Sequence, residues 1–118
     1  NYYANGKLMA EGSSITEGIG QGRITDNLSD IEIDKAYRIP DQEPIDVMFR
    51  LTHEEGLFLG SSSGINVAAS MKLAKEMGPG HCIVTILCDS GTRYLSKLYN
   101  PDFLESKGLL FPQWLTRL

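Results

Sequence analysis

Apolar residues in the middle of the chain recur at two different periods. Ile45, Met48 and Phe49, extended by Leu51, follow the three-and-four spacing of one helical face. Asp41 stands where a helix cap belongs, which puts Pro44 at the third helical position, where first-turn amides need no intrahelical partner. This helix is predicted to reach Glu55 and to stop on Gly56 in left-handed backbone. Val67, Ala68, Met71 and Ala74 mark a second helical face and predict a helix over 65–77, ended by Gly78-Pro79-Gly80. Two apolar runs lack that period. Leu57-Phe58-Leu59 and the β-branched run over 82–88 read as buried strands, with a shorter strand candidate at 35–39. Segments 92–99 and 102–107 read as helical, the second closed by Gly108, and one or two helical turns fit within 21–28. The apolar tail Leu109-Leu110-Phe111-Pro112-Gln113-Trp114-Leu115 is expected to dock on a neighbouring surface.

From residue 57 to residue 99 the order is strand, turn, helix, strand, turn, helix. That order predicts an α/β fold with a parallel βαβα unit and a right-handed crossover. Ligands in such sheets bind beyond the carboxyl ends of the strands. Two polar turns lie at that end, Gly60–Gly64 and Asp89-Ser90-Gly91, so Ser61, Ser62, Ser63, Asp89 and Ser90 are expected on one rim. Residues 1–28 are different in kind. Five glycines and no helical period predict a loop region, whereas 29–118 holds the αβ unit and the C-terminal helices.

The composition is that of an ordinary globular chain. The 118 residues are 42% hydrophobic and 22% charged, enough for one domain and its core. No apolar run approaches the roughly 18–20 residues of a membrane span. The net charge is −4, and the lysines and arginines are scattered rather than clustered, which argues against nucleic acid as a partner. No leader pattern is visible. Residue 1 is Asn, so the chain is expected to follow a cut or to be the back part of something longer.

Cys82 and Cys88 are the two cysteines. Six residues along a strand span roughly 20 Å, and a disulfide needs Cα atoms about 4.4–6.8 Å apart. Free thiols point to a reducing, cytoplasmic compartment. His53 and His81 lack partners at metal-ligand spacing, so no metal site is expected. A nucleophile-elbow G-x-S-x-G is absent.

Three segments are candidates for chemistry. Gly60-Ser61-Ser62-Ser63-Gly64 precedes a helix, where free amides and the helix dipole favour an anion. Ser is equally at home there as a plain helix cap. Asp89-Ser90-Gly91 reads first as the cap of the next helix and second as a ligand contact. Thr16-Glu17-Gly18-Ile19-Gly20-Gln21-Gly22 would let a flat ligand approach the backbone, or is a surface loop.

These three segments, in this order, resemble the cysteine synthase (O-acetylserine sulfhydrylase) family of fold-type II pyridoxal-phosphate enzymes. The family's E/Q-G-I-G is matched by Glu17-Gly18-Ile19-Gly20. Its E-E-G-L-x-x-G-x-S-S-G is matched by residues 54–64. Its D-S-G-x-R-Y-L-S is matched by residues 89–96, with Cys88 where many members have Pro. Cystathionine β-synthases share much of the pattern.

The resemblance implies that the chain is the C-terminal part of the large domain of such an enzyme. The whole enzyme would make L-cysteine from O-acetylserine and sulfide by β-elimination and β-replacement on pyridoxal 5'-phosphate. Ser62 would be the partner of the cofactor's pyridine nitrogen. Gly18 and Gly20 would lie beside the cofactor, and Asp89 and Ser90 would line the site. The Schiff-base lysine matches none of the six lysines here and would come from the N-terminal part of the same enzyme, so no catalytic residue is assigned and the isolated chain is expected to be inactive. A homodimer is implied. The alternatives are a cystathionine β-synthase-like enzyme and a non-catalytic binding or dimerisation fragment.

Overall fold

The computed structural model describes residues 7, 14–19 and 23–116. The chain divides into two compact units, Asn1–Arg38 and Ile39–Leu118, each described by itself.

Among the described residues of the first unit the regular element is a single turn, α1 (Asp26–Ser29), with Thr25 as its extended N-cap. Its opening is held by the Leu28 amide on the Thr25 carbonyl at 2.8 Å. The 35–39 segment expected as a strand carries no strand assignment.

The second unit is built on two helices, α2 (Gln42–Glu55) and α3 (Ser61–Met77). Pro44 takes the third position of α2, and Gly56 ends it at φ 68°. Asp41 is not a side-chain cap: its own backbone is already helical, at φ −56° and ψ −30°. The helix start is held instead by the Glu43 amide on the Pro40 carbonyl, at 3.1 Å. Ile45, Met48 and Phe49 are buried, as their period requires. On α3, Ala68 is buried, but Met71 is 49% exposed and Ala74 is also exposed. Gly64 has its backbone against Pro44, so the two helices cross where neither presents a bulky side chain.

Downstream, a 3-10 turn spans Gly91–Tyr94, and turns continue through Tyr99 in place of the regular helix expected over 92–99. A short α4 (Pro101–Ser106) follows, capped by the Asn100 side chain, which accepts from the Asp102 amide at 3.0 Å. Leu98, Tyr99 and Leu104 close the core. The apolar tail docks on α2. Trp114 stacks on His53, with ring centroids 5.8 Å apart, and meets Phe49 edge-on at 5.5 Å.

The parallel βαβα unit is not formed among the described residues. Segments 57–59 and 82–88 form no ladder with each other; Leu59 makes an isolated antiparallel bridge to Ser90, past the end of the second segment, and 82–88 itself has no strand pairing among the described residues. Strands exist only through neighbours, and no strand flanks 82–88 among the described residues. Val84 is 89% and Ile86 71% exposed, which is far from the buried state their composition requests.

Candidate functional site

The second unit brings the two polar turns together through that bridge. The Gly60 amide donates to the Asp89 carbonyl and the Gly91 amide to the Phe58 carbonyl, each at 3.0 Å. The two glycines permit this approach. A side-chain carbon on Gly60 would strike the Asp89 carboxylate and the Tyr94 ring. One on Gly91 would meet Tyr99 at 2.8 Å and Phe58 at 2.9 Å.

The three serines lie inside the first turn of α3, four residues earlier than the predicted helix start. Gly60 is the N-cap and no side chain caps the helix, so the plain capping role does not account for the serines. Their fates differ. Ser63 is fully buried, and its hydroxyl accepts from the Cys88 amide at 2.9 Å. Ser61 is 2% exposed. Ser62 is half-buried and turns toward Asp89, its Oγ donating to Asp89 Oδ1 at 3.4 Å. That distance is long for a hydroxyl bond, whose usual span is about 2.5–3.0 Å. Ser62 is therefore the hydroxyl of the three that is both reachable and weakly committed.

Asp89 has a stronger donor. Tyr94 Oη donates to Oδ2 at 2.6 Å. Ser90, not Asp89, caps the 3-10 turn: its Oγ accepts from the Thr92 amide at 3.3 Å and from Thr92 Oγ1 at 3.1 Å. The Asp89 carboxylate is thus directed to side chains rather than to backbone. Asn66 ties the same segment down, donating to the Ile86 carbonyl at 2.8 Å and reaching Cys88 Sγ at 3.4 Å.

Of the residues selected from the sequence, the structure brings Ser62 and Asp89 together. It leaves Ser90 beside them in the chain but directed to Thr92. Gly18 belongs to the first unit, in left-handed backbone at φ 79° with open space where a side chain would go. Gly20 lies outside the described residues. Two residues before Gly18, the Thr16 hydroxyl is buried without a hydrogen-bond partner among the described residues. Tyr94, Asn66 and Gly60 were given no site role from the sequence, although Gly60 and Tyr94 lie inside the matched motifs. Their signal is an aromatic hydroxyl five residues after an aspartate, an amide side chain one turn into a helix, and a glycine directly before it.

No group of His, Cys, Asp and Glu among the described residues is arranged to hold a metal ion. A hollow of about 380 Å³ beside α2, lined in part by Phe49, His53 and Trp114, contains none of the selected residues. No described helix is long and apolar enough to cross a membrane.

Residues 3–89 match the family model described as pyridoxal-phosphate dependent enzyme. Cysteine synthase 1 of Neurospora crassa is 46% identical over 114 residues, covering 93% of this chain and 30% of that protein. Cysteine synthase 1 of Emericella nidulans is 50% identical over 109 residues, covering 90% and 30%. Cysteine synthase 2 of Schizosaccharomyces pombe is 48% identical over 99 residues, covering 82% and 25%. The chain therefore spans less than a third of the length of these relatives.

Proposed function

The chain belongs to the pyridoxal-phosphate-dependent enzyme family, and from that premise we propose that it is the C-terminal portion of a cysteine synthase. The complete enzyme makes L-cysteine from O-acetylserine and sulfide. High identity over most of the chain to proteins named cysteine synthase supports the choice of reaction. The observation that carries the site is the Ser62 hydroxyl, half-buried at the start of α3 and held only loosely by Asp89.

The residues present fit the cofactor. Ser62 offers a neutral donor for a pyridine nitrogen. Gly60 leaves room for Asp89 and Tyr94 beside it. When bound, pyridoxal phosphate supplies the electron sink for β-elimination and β-replacement.

This chain's own part is to hold and orient. A neutral hydroxyl on the ring nitrogen does not oblige that nitrogen to carry a proton, which restrains the sink and favours β-chemistry over transamination. The Asp89 carboxylate lines the site behind Ser62. Ser90 keeps the 89–91 turn in shape through Thr92, and the Gly18–Gly20 backbone flanks the cofactor and substrate amine. The Schiff-base lysine comes from the remainder of the protein.

The same reading treats 1–28 as a glycine-rich loop region of the domain that 29–118 completes. It makes the 57–59 and 82–88 segments parallel strands of a larger sheet. The exposed Val84 and Ile86 support this, because β-branched residues at those exposures lack the neighbours a sheet supplies. It also includes a homodimer and a cytoplasmic setting, the latter supported by two exposed free thiols.

The test is the complete enzyme assayed with O-acetylserine and sulfide. Cysteine formation that depends on added pyridoxal phosphate, and that Ser62→Ala lowers while altering the cofactor's absorption, is the expected result. Condensation of serine with homocysteine instead, or a Ser62→Ala variant with unchanged turnover and spectrum, would overturn it.

A further inference from the structure

Asp89 accepts from two hydroxyls, and the two bonds are unequal. Tyr94 donates to Oδ2 across 2.6 Å, whereas Ser62 reaches Oδ1 at 3.4 Å. A short O–H···O⁻ bond is roughly twice as strong as a neutral one, and strength falls away with distance. The Tyr94 ring is itself fixed. It backs onto Gly60, where an added side-chain carbon would lie 2.6 Å from Cε2. The Asp89 backbone is pinned in turn by the Gly60 amide at 3.0 Å. All three side chains are half-buried, so water competes only partly for these bonds.

Ser62 has one hydroxyl proton. If Asp89 takes it, Ser62 presents a lone pair outward. If Asp89 does not, Ser62 presents a donor. Resting on the reading of Ser62 as the pyridine-nitrogen partner, we propose that Tyr94 is a positioning residue that keeps this proton available to the cofactor. Its short bond occupies Oδ2, draws the carboxylate toward the tyrosine, and so weakens the pull of Oδ1 on Ser62. Without the Tyr94 hydroxyl, the carboxylate turns its full acceptor strength on Ser62. A pyridine nitrogen then meets an acceptor where it needs a donor.

The experiment is a double-mutant cycle in the complete enzyme, read as the dissociation constant of pyridoxal 5'-phosphate and its absorption maximum, with melting temperature measured alongside. Tyr94→Phe keeps the ring that packs on Gly60 and removes only the hydroxyl. It is expected to weaken cofactor binding about five-fold, the worth of one hydrogen bond, and to shift the absorption maximum. In a Ser62→Ala background the same change is expected to do neither. Equal loss in both backgrounds, or no loss in either, would overturn the proposal.

Should Tyr94→Phe fail to fold, Asp89→Asn decides. Its amide oxygen accepts from Tyr94 and its amide nitrogen faces Ser62 Oγ, so the serine proton is released outward and cofactor binding tightens. Weaker or unchanged binding in that variant would then overturn the proposal. The two readings separate cleanly. Ser62→Ala without effect on binding or spectrum defeats the assignment of Ser62 itself, whereas an effect of Ser62→Ala with additive loss from Tyr94→Phe defeats only the role of Tyr94.

Discussion

Pro44 and Gly64 meet backbone to backbone where α2 and α3 cross: a side-chain carbon at Gly64 would lie 3.1 Å from the Pro44 carbonyl carbon and 3.2 Å from its Cα. The contact is with main chain, so no flexible side chain can yield.

Gly64→Ala is therefore expected to destabilise. Alanine gains up to about 1 kcal/mol of helix propensity, but overpacking against backbone costs about 1–3 kcal/mol. The melting temperature of the complete enzyme falls. A rise would mean that the helices slide apart at no cost.

Gly60→Ala acts on the site instead of the core. The backbone there, at φ −80° and ψ 168°, suits any residue, so strain is not the reason. The new methyl group displaces the Asp89 carboxylate and the Tyr94 ring. Breaking the Tyr94–Asp89 bond is expected to lower pyridoxal phosphate affinity by about five-fold, as for Tyr94→Phe. Equilibrium dialysis checks this, and retained affinity would remove Gly60 from the site.

Tyr99 gives the fold an alkaline limit. Burial raises its pKa above the ordinary 10.0, and the hydroxyl's donated bond to the Leu59 carbonyl exists only in the protonated form. The neutral form is thus the one the fold favours. Its contribution is fully present below pH 10 and is lost as pH rises through the elevated folded value. Unfolding monitored from pH 8 to 11 should show stability falling at the top of that range. Tyr99→Phe should flatten the fall while lowering stability at pH 8 by about 1–2 kcal/mol, since the hydroxyl donates to the Leu59 carbonyl at 2.8 Å. An equal alkaline fall in both proteins would assign it elsewhere.

Trp114 holds the tail. It is 43% exposed, so Trp114→Ala is expected to cost less than the roughly 3–5 kcal/mol of a fully buried aromatic, about 1–2 kcal/mol. Faster proteolytic cleavage near residues 109–116 would register the released tail. Unchanged cleavage would mean that Phe111 and Leu115 suffice.

The helices of the second unit are legible in the sequence because their signals are local. The Ile45–Met48–Phe49 period, Pro44 near the start and Gly56 at the end depend only on neighbours in the chain. Asp41 shows that a capping residue type does not fix a cap when its own backbone is already helical. Met71 and Ala74 show the limit of a period, which marks a face that seeks cover without supplying the cover.

The strands were not legible in the same sense. The composition of 82–88 states a preference for pairing, and without partners among the described residues the segment pairs with no strand; the isolated bridge, Leu59 to Ser90, falls outside it. In the site, the motif spacing led to Ser62 and Asp89. It did not reveal which of three serines is committed, because Ser63's hydroxyl bond to the Cys88 amide crosses 25 residues. Tyr94 was hidden for another reason: its bond to Asp89, only five residues back, depends on the 3-10 turn that Ser90 caps, where the sequence predicts a regular helix.

The bare 82–88 segment has a consequence for handling the protein. Cys82-Ile83-Val84-Thr85-Ile86-Leu87-Cys88 carries no charge and no proline, and Val84, Ile86 and Leu87 face solvent. Such a seven-residue window is a seed for cross-β stacking. Cut away from the rest of its enzyme, it would recruit identical copies of itself, and the chain would be lost to fibrils and inclusion bodies before any question of turnover arose.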